Sequence, residues 1–242
     1  MSLCWFFLSQ DKGEHEPVSA LWIALGFGFL GGIAAGLIET HVIPLRYIDG
    51  VGQPLGFILL ACLGVGAIEE ACKFIPLSLF IYHKKYFNEH TDGVIYFAIA
   101  GLGFGIPENI LYTISFGTHA GLTRLLLTPI FHAATTGMVG YFLIKSKIDH
   151  EPIYKTIIAL VAAMILHGLY DFGLSSGIFY LVVMSFMITI GMSAGLFILY
   201  MRASELDRQQ GLSVVGKNSF CRSCGAPNPN HKLHCTMCGN YA

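Results

Sequence analysis

Glu69 and Glu70 stand side by side, with Lys73 one turn later, inside an apolar stretch that runs from about Gly56 to Tyr82. A charged side chain at the centre of a membrane helix costs roughly 2.5–3.5 kcal/mol on insertion scales, so ionisable groups kept there generally serve function. Adjacent carboxylates on a helix point about 100° apart, so one can pair with Lys73 while the other looks into a cavity, where it suits general acid–base work. Other apolar stretches are interrupted by Glu108, flanked by Pro107 and Asn109, by His132, and by His167 with Asp171 one turn further on the same helix face. Two imidazoles with carboxylates also make a ligand set for zinc, which takes His and Glu or Asp and leaves a position for water. The sequence lacks the HExxH pattern, so spacing alone does not choose between metal-assisted and carboxylate-only hydrolysis.

The elements that must position these groups are membrane helices. Of 242 residues, 54% are hydrophobic and 12% charged, about half the charged share of a soluble domain. Apolar windows of about 20 residues predict six spans, at 18–39, 56–82, 94–116, 122–144, 153–174 and 178–201. Met1–Ser9 is apolar but short and has no basic segment, so it reads neither as a span nor as a cleavable signal. Lys12, Lys84, Lys85, Lys145, Lys147 and Lys155 join Arg202, Arg208, Lys217, Arg222 and Lys232 on one side, against Arg46 and Arg124 on the other. The positive-inside rule therefore expects both termini in the cytoplasm.

That topology sets depths. Glu69, Glu108, His132 and His167 lie 12 to 14 residues from the basic ends of four different spans, a common layer about 18–21 Å deep at 1.5 Å per residue. Facing lipid, Glu69, Glu70, Lys73, Glu108 and Asp171 would together cost about 15 kcal/mol, more than a fold's usual net stability. They are expected to face one another. Each also has a structural reading: an ion pair locking α-helices together for Glu69, Glu70 and Lys73, satisfaction of a proline kink for Glu108, an interhelical hydrogen bond for His132, and a self-contained pair for His167 and Asp171. Glu39 and His41 read as span-end residues, Cys62 and Cys72 as small apolar fillers, and Asp92–Gly93 as a turn into the third span. Gly101, Gly103 and Gly105 are expected to leave room for water or a substrate strand.

In order along the chain, Glu69-Glu70-Ala-Cys-Lys73, Asp92-Gly93, Phe104-Gly-Ile-Pro-Glu108-Asn109 with Tyr112, His132, and His167-Gly-Leu-Tyr-Asp171 resemble the PrsW family of intramembrane proteases, relatives of the CAAX protease and bacteriocin-processing group. The resemblance covers about Asp11 to Tyr200. It implies peptide-bond cleavage in membrane-protein substrates, an anti-sigma-factor-like protein among them. It makes Glu69, Glu70, Glu108, His132, His167 and Asp171 active-site candidates, with Lys73 the partner of the paired acids. It also implies a further hydrophobic helix before the polar segment at Asp11–Pro17, of which Met1–Leu8 supplies only a turn or two.

Beyond Met201 the composition turns polar, and Cys221-Arg-Ser-Cys224-Gly is followed ten residues later by Cys235-Thr-Met-Cys238-Gly. Paired CxxC knuckles predict a four-cysteine structural zinc ribbon, closed to catalysis because four thiolates fill the tetrahedron. A protein is its expected partner; the net charge of −1 calls for no polyanion such as nucleic acid.

The expectation is an all-α polytopic membrane protein: an N-terminal segment at 1–17, a PrsW-like protease domain at 18–201, a linker at 202–218 and a zinc ribbon at 219–242. Glu108, His132 and His167 would hold a zinc or other divalent metal, Asp171 would ligate or orient His167, and Glu69 or Glu70 would activate the attacking water. A glutamate-only mechanism is the variant. A non-proteolytic scaffold that binds transmembrane helices and a proton-coupled transporter are the readings from other classes, and the inverted halves a transporter needs are not found.

Overall fold

The computed structural model describes residues 16–43, 52–210 and 212, with the backbone alone given for 116 and 119–126. Among the described residues, six helices long and apolar enough to cross a membrane follow one another: α1 (Val18–Val42), α2 (Leu55–Ile81), α3 (His90–Phe116), α4 (Thr118–Ile148), α5 (Tyr154–Ser175) and α6 (Phe179–Gln210). Pro17 and Pro54 immediately precede α1 and α2, where a missing N–H costs nothing because the first turn leaves its N–H groups unpaired in any case. Gly117, at φ 87°, reverses the chain between α3 and α4 in a conformation that side-chain-bearing residues avoid. The four cysteines of the expected ribbon lie outside the described residues.

α3 and α4 form the buried centre of the bundle, with α1 laid against α3, α2 wedged between α1 and α5, and α6 closing over α4 and α5. The central pair is antiparallel and very close. A Cβ on Gly93 would stand 2.4 Å from the Gly140 carbonyl oxygen, and one on Gly101 would stand 2.2 Å from that of His132. Gly103 meets the Leu25 carbonyl of α1 in the same way, at 2.3 Å. Two of the third span's glycines thus correct the expectation of spare room: they are occupied by neighbouring backbone, the usual role of small residues where there is no hydrophobic gain between helices. Gly105 alone faces the site, 3.4 Å from the His132 ring.

One helix end differs from the sequence expectation, and another extends the short helical end read beyond Met201. Asp92 is not in a turn before the third span but inside its first helical turn, where its carboxylate accepts from the Asn88 and Glu89 N–H groups at 2.6 and 2.7 Å in a capping box with Glu89. α6 continues past Met201 through Gln210. Its Asp207, buried, accepts four hydrogen bonds: from the His90 N–H (2.6 Å) and Thr91 N–H (2.9 Å), from His90 Nδ1 (2.7 Å) and from the Thr91 hydroxyl (3.0 Å). A carboxylate there meets both the orphan N–H groups and the positive end of the α3 dipole.

Candidate active site

α2 brings its three charges to the middle of the bundle. Lys73 donates to Glu70 Oε1 at 2.9 Å and Glu69 Oε2 at 3.2 Å, and its ammonium lies 4.1 Å from the centre of the Phe104 ring. Spacings of three and four residues put both acids within reach of one lysine. All three are buried, which is tolerable only because each charge has an opposite partner.

α4 and α5 each add a histidine, the two ring centres 5.3 Å apart. Gly168 lets α5 approach this closely, since a Cβ there would stand 2.6 Å from Leu63 Cα. Both rings turn Nδ1 toward the ion pair: His167 Nδ1 is 2.8 Å from Glu70 Oε1, and His132 Nδ1 is 2.8 Å from Lys73 Nζ. Both turn Nε2 the other way. His132 Nε2 is 2.5 Å from Glu108 Oε2, while His167 Nε2 is 3.3 Å from Glu69 Oε2 and 3.5 Å from Asp171 Oδ2. The Thr135 hydroxyl, 3.0 Å from Glu70 Oε1, also reaches the His132 carbonyl at 3.1 Å.

The cluster therefore has two sides. Glu70 accepts from Lys73, Thr135 and His167 on a single oxygen and sits wholly inside protein; it can fix ring orientations. Glu69, Glu108 and Asp171 gather around the Nε2 atoms, and exposure rises in that direction, with the side chains of Glu108 and Asp171 13% and 18% exposed against 0–1% for the histidines and Lys73.

One donor atom each from Glu69, His132 and His167 lies within 4.8 Å of the others. Two imidazoles and a carboxylate converging in this way fit a borderline metal ion such as zinc, and the His167 Nδ1 contact with the Glu70 carboxylate is of the kind that orients a ligating histidine, whereas His132 Nδ1 accepts from the Lys73 ammonium. All seven residues expected at the site are brought together by four helices, as the common depth required. In the geometry, Glu69 rather than Glu108 completes the three-atom set with the histidines, and Glu108 Oε2 meets His132 Nε2.

Reading the sequence as a series of spans misses Thr135, which is indistinguishable from any other intramembrane hydroxyl, and Glu39. Residues 28, 32, 35 and 39 recur at helical spacing along α1, small at the first three positions and acidic at the last. That continuation of a buried stripe is the available signal.

Comparison with known proteins agrees with this geometry. The sequence matches the family model described as "PrsW family intramembrane metalloprotease" over residues 16–215. Protease PrsW of Bacillus subtilis (strain 168) is 32% identical over 189 residues, covering 75% of this chain and 83% of the relative. Protease PrsW of Geobacillus kaustophilus is 29% identical over 176 residues (71% and 74%), and that of Halalkalibacterium halodurans 30% over 171 (70% and 76%). No solved structure matches at a significant level. Six apolar helices, a buried layer of carboxylates and histidines, and a family match that spans nearly the whole described chain agree: the protein belongs to the PrsW family of intramembrane proteases, multi-pass enzymes that act on membrane-protein substrates within the bilayer.

Proposed function

We propose that the Glu69, Glu70, Lys73, Glu108, His132, His167 and Asp171 cluster is the active centre of this intramembrane protease and that it works as a metallopeptidase. The observation that carries the reading is the convergence of donor atoms from Glu69, His132 and His167 within 4.8 Å. These three would hold the metal, with zinc favoured by the ligand types. The ion would polarise the scissile carbonyl and acidify water. Glu108, at the His132 Nε2 edge and partly open, would take the proton of the attacking water and pass it to the leaving amine. Glu70 and Lys73 would hold the rings by their Nδ1 edges, and Asp171 would restrain His167 from the next turn.

The metal-free reading has one observation in its favour. The 2.5 Å contact between Glu108 and His132 is an acid–base pair that needs no ion to form. Metal analysis separates the two. In the full chain with Cys221, Cys224, Cys235 and Cys238 replaced by serine, one metal ion per chain should remain and should be lost on His167→Ala. A metal-free quadruple variant that still cleaves a single-span substrate would overturn the metallopeptidase reading.

Eleven of the 14 Lys and Arg residues fall on one side of the spans, which supports a cytoplasmic location for both termini. The paired CxxC motifs are assigned a structural zinc and a protein-binding role, which serine substitution would test by the loss of one further zinc per chain. The resemblance to the family points to an anti-sigma-factor-like substrate, testable by coexpression and detection of the cut fragment.

A further inference from the structure

Glu39 is an additional carboxylate at the edge of this centre. It lies on the face of α1 that packs into the bundle, following Gly28, Gly32 and Ala35 at helical spacing. That face rests on the segments that carry the active residues. A Cβ on Gly31 would stand 2.8 Å from the Cys72 carbonyl of α2, and one on Gly32 would stand 2.6 Å from the Pro107 ring of α3. Side chains on a helix lean toward its N-terminus, so from one turn beyond Ala35 the Glu39 carboxylate is directed back toward this contact. It is within electrostatic range of Lys73, Cys72 and Glu69 on α2, Glu108 on α3 and Asp171 on α5.

Its two oxygens are unlike. The residue is half-buried, yet Oε1 is fully enclosed and has no hydrogen-bond partner among the described residues. A buried acceptor of that kind is costly unless a donor arrives. The reaction brings donors. A peptide bond becomes open to attack only where the substrate helix is unwound, and each main-chain N–H freed by unwinding needs a new acceptor at membrane depth.

We propose that Glu39 is a substrate-binding residue whose half-exposed side chain turns its unpartnered oxygen outward to accept a hydrogen bond from a main-chain N–H of the unwound substrate segment. This rests on the cluster around His132 and His167 being the active centre. Glu39 takes no part in bond making or breaking; it holds the segment extended beside Glu69 and Glu108.

The test uses the full chain in nanodiscs and a synthetic single-span substrate in which successive main-chain N–H groups near the cleavage site are replaced, one at a time, by ester oxygens. In the unsubstituted enzyme one ester position should lower kcat/KM about twofold to tenfold, the loss expected for a single hydrogen bond. Glu39→Ala should show a similar loss with the all-amide substrate, mainly in KM, and no further loss at that position. Glu39→Gln, which keeps an acceptor oxygen, should recover part of it. If every ester costs the same factor in both enzymes, or if Glu39→Ala cleaves the all-amide substrate normally, the proposal is wrong. Should Glu39→Ala fail to fold, Glu39→Gln carries the test, and an unchanged ester profile and KM in that variant would likewise overturn it. Glu69→Gln, assayed alongside, reads the underlying assignment separately: cleavage retained there would remove the active centre itself.

Discussion

Glu70 Oε1 lies 2.8 Å from His167 Nδ1, joining α2 to α5 through the one oxygen that also receives Lys73 and Thr135. Paired acids in a membrane helix look redundant in sequence. Here one is wholly enclosed and fixes ring geometry, while its neighbour turns toward the Nε2 atoms.

That asymmetry predicts different failures for the two acids. Glu69→Gln should retain the fold but lose metal affinity and at least a hundredfold in cleavage rate, the range expected when a ligand or acid–base group is removed. Glu70→Ala should lower thermal stability as well, because it strands Lys73 and His167. Unfolding in detergent followed together with metal content distinguishes the two. Equal stability losses in both variants would contradict the assignment.

Lys73 is enclosed, and its removal leaves a buried charge uncompensated. Lys73→Met should destabilise the protein by about 3–5 kcal/mol, whereas Lys73→Met combined with Glu70→Gln should be closer to the starting protein than Lys73→Met alone. Denaturant titration in mixed micelles measures the coupling; strict additivity would count against the ion pair.

Glu108 is predicted to act at the open edge. Glu108→Gln should depress kcat by about 10²–10⁴ while binding of an uncleaved single-span peptide stays within a few-fold. Loss of binding without loss of turnover would reassign Glu108 to substrate recognition.

Gly101 and Gly105 make a contrast within one helix. Gly101→Ala would place a methyl group 2.2 Å from the His132 carbonyl oxygen and should force α3 from α4, with loss of both stability and activity. Gly105→Ala meets its nearest neighbour, the His132 ring, at 3.4 Å, an ordinary contact, and should keep the fold while altering turnover. Thermal unfolding and cleavage, measured on both, check the distinction.

Much of this centre is legible in the sequence because hydropathy fixes the spans, and a fixed rise per residue converts position into depth. Glu69, Glu108, His132 and His167 meet for that reason. Rotation about each helix axis is not fixed by depth, so which of Glu69 and Glu108 joins the histidines is decided only by the Gly101–His132 and Gly168–Leu63 contacts that set the helix faces. Polar helix ends are harder. Asp207 falls in a stretch that reads as helical end and linker, because the His90 and Thr91 N–H groups that it satisfies lie on another helix that only the assembled bundle brings near, whereas Asp92 closes a local capping box that resembles a turn in sequence. Glu39 reads as a span-end residue, a place where an acid costs little and so attracts no suspicion.

Asp207 also bears on how truncated forms of the protein are to be judged. The terminal turns of α6 close the first turn of α3, the helix on which Glu108 rides. A chain shortened before Asp207 therefore leaves the His90 and Thr91 N–H groups of α3 without their acceptor, and loss of activity in such a chain follows from fraying there, whatever the deleted tail does. Deletions meant to isolate the cysteine-rich segment should end after Gln210.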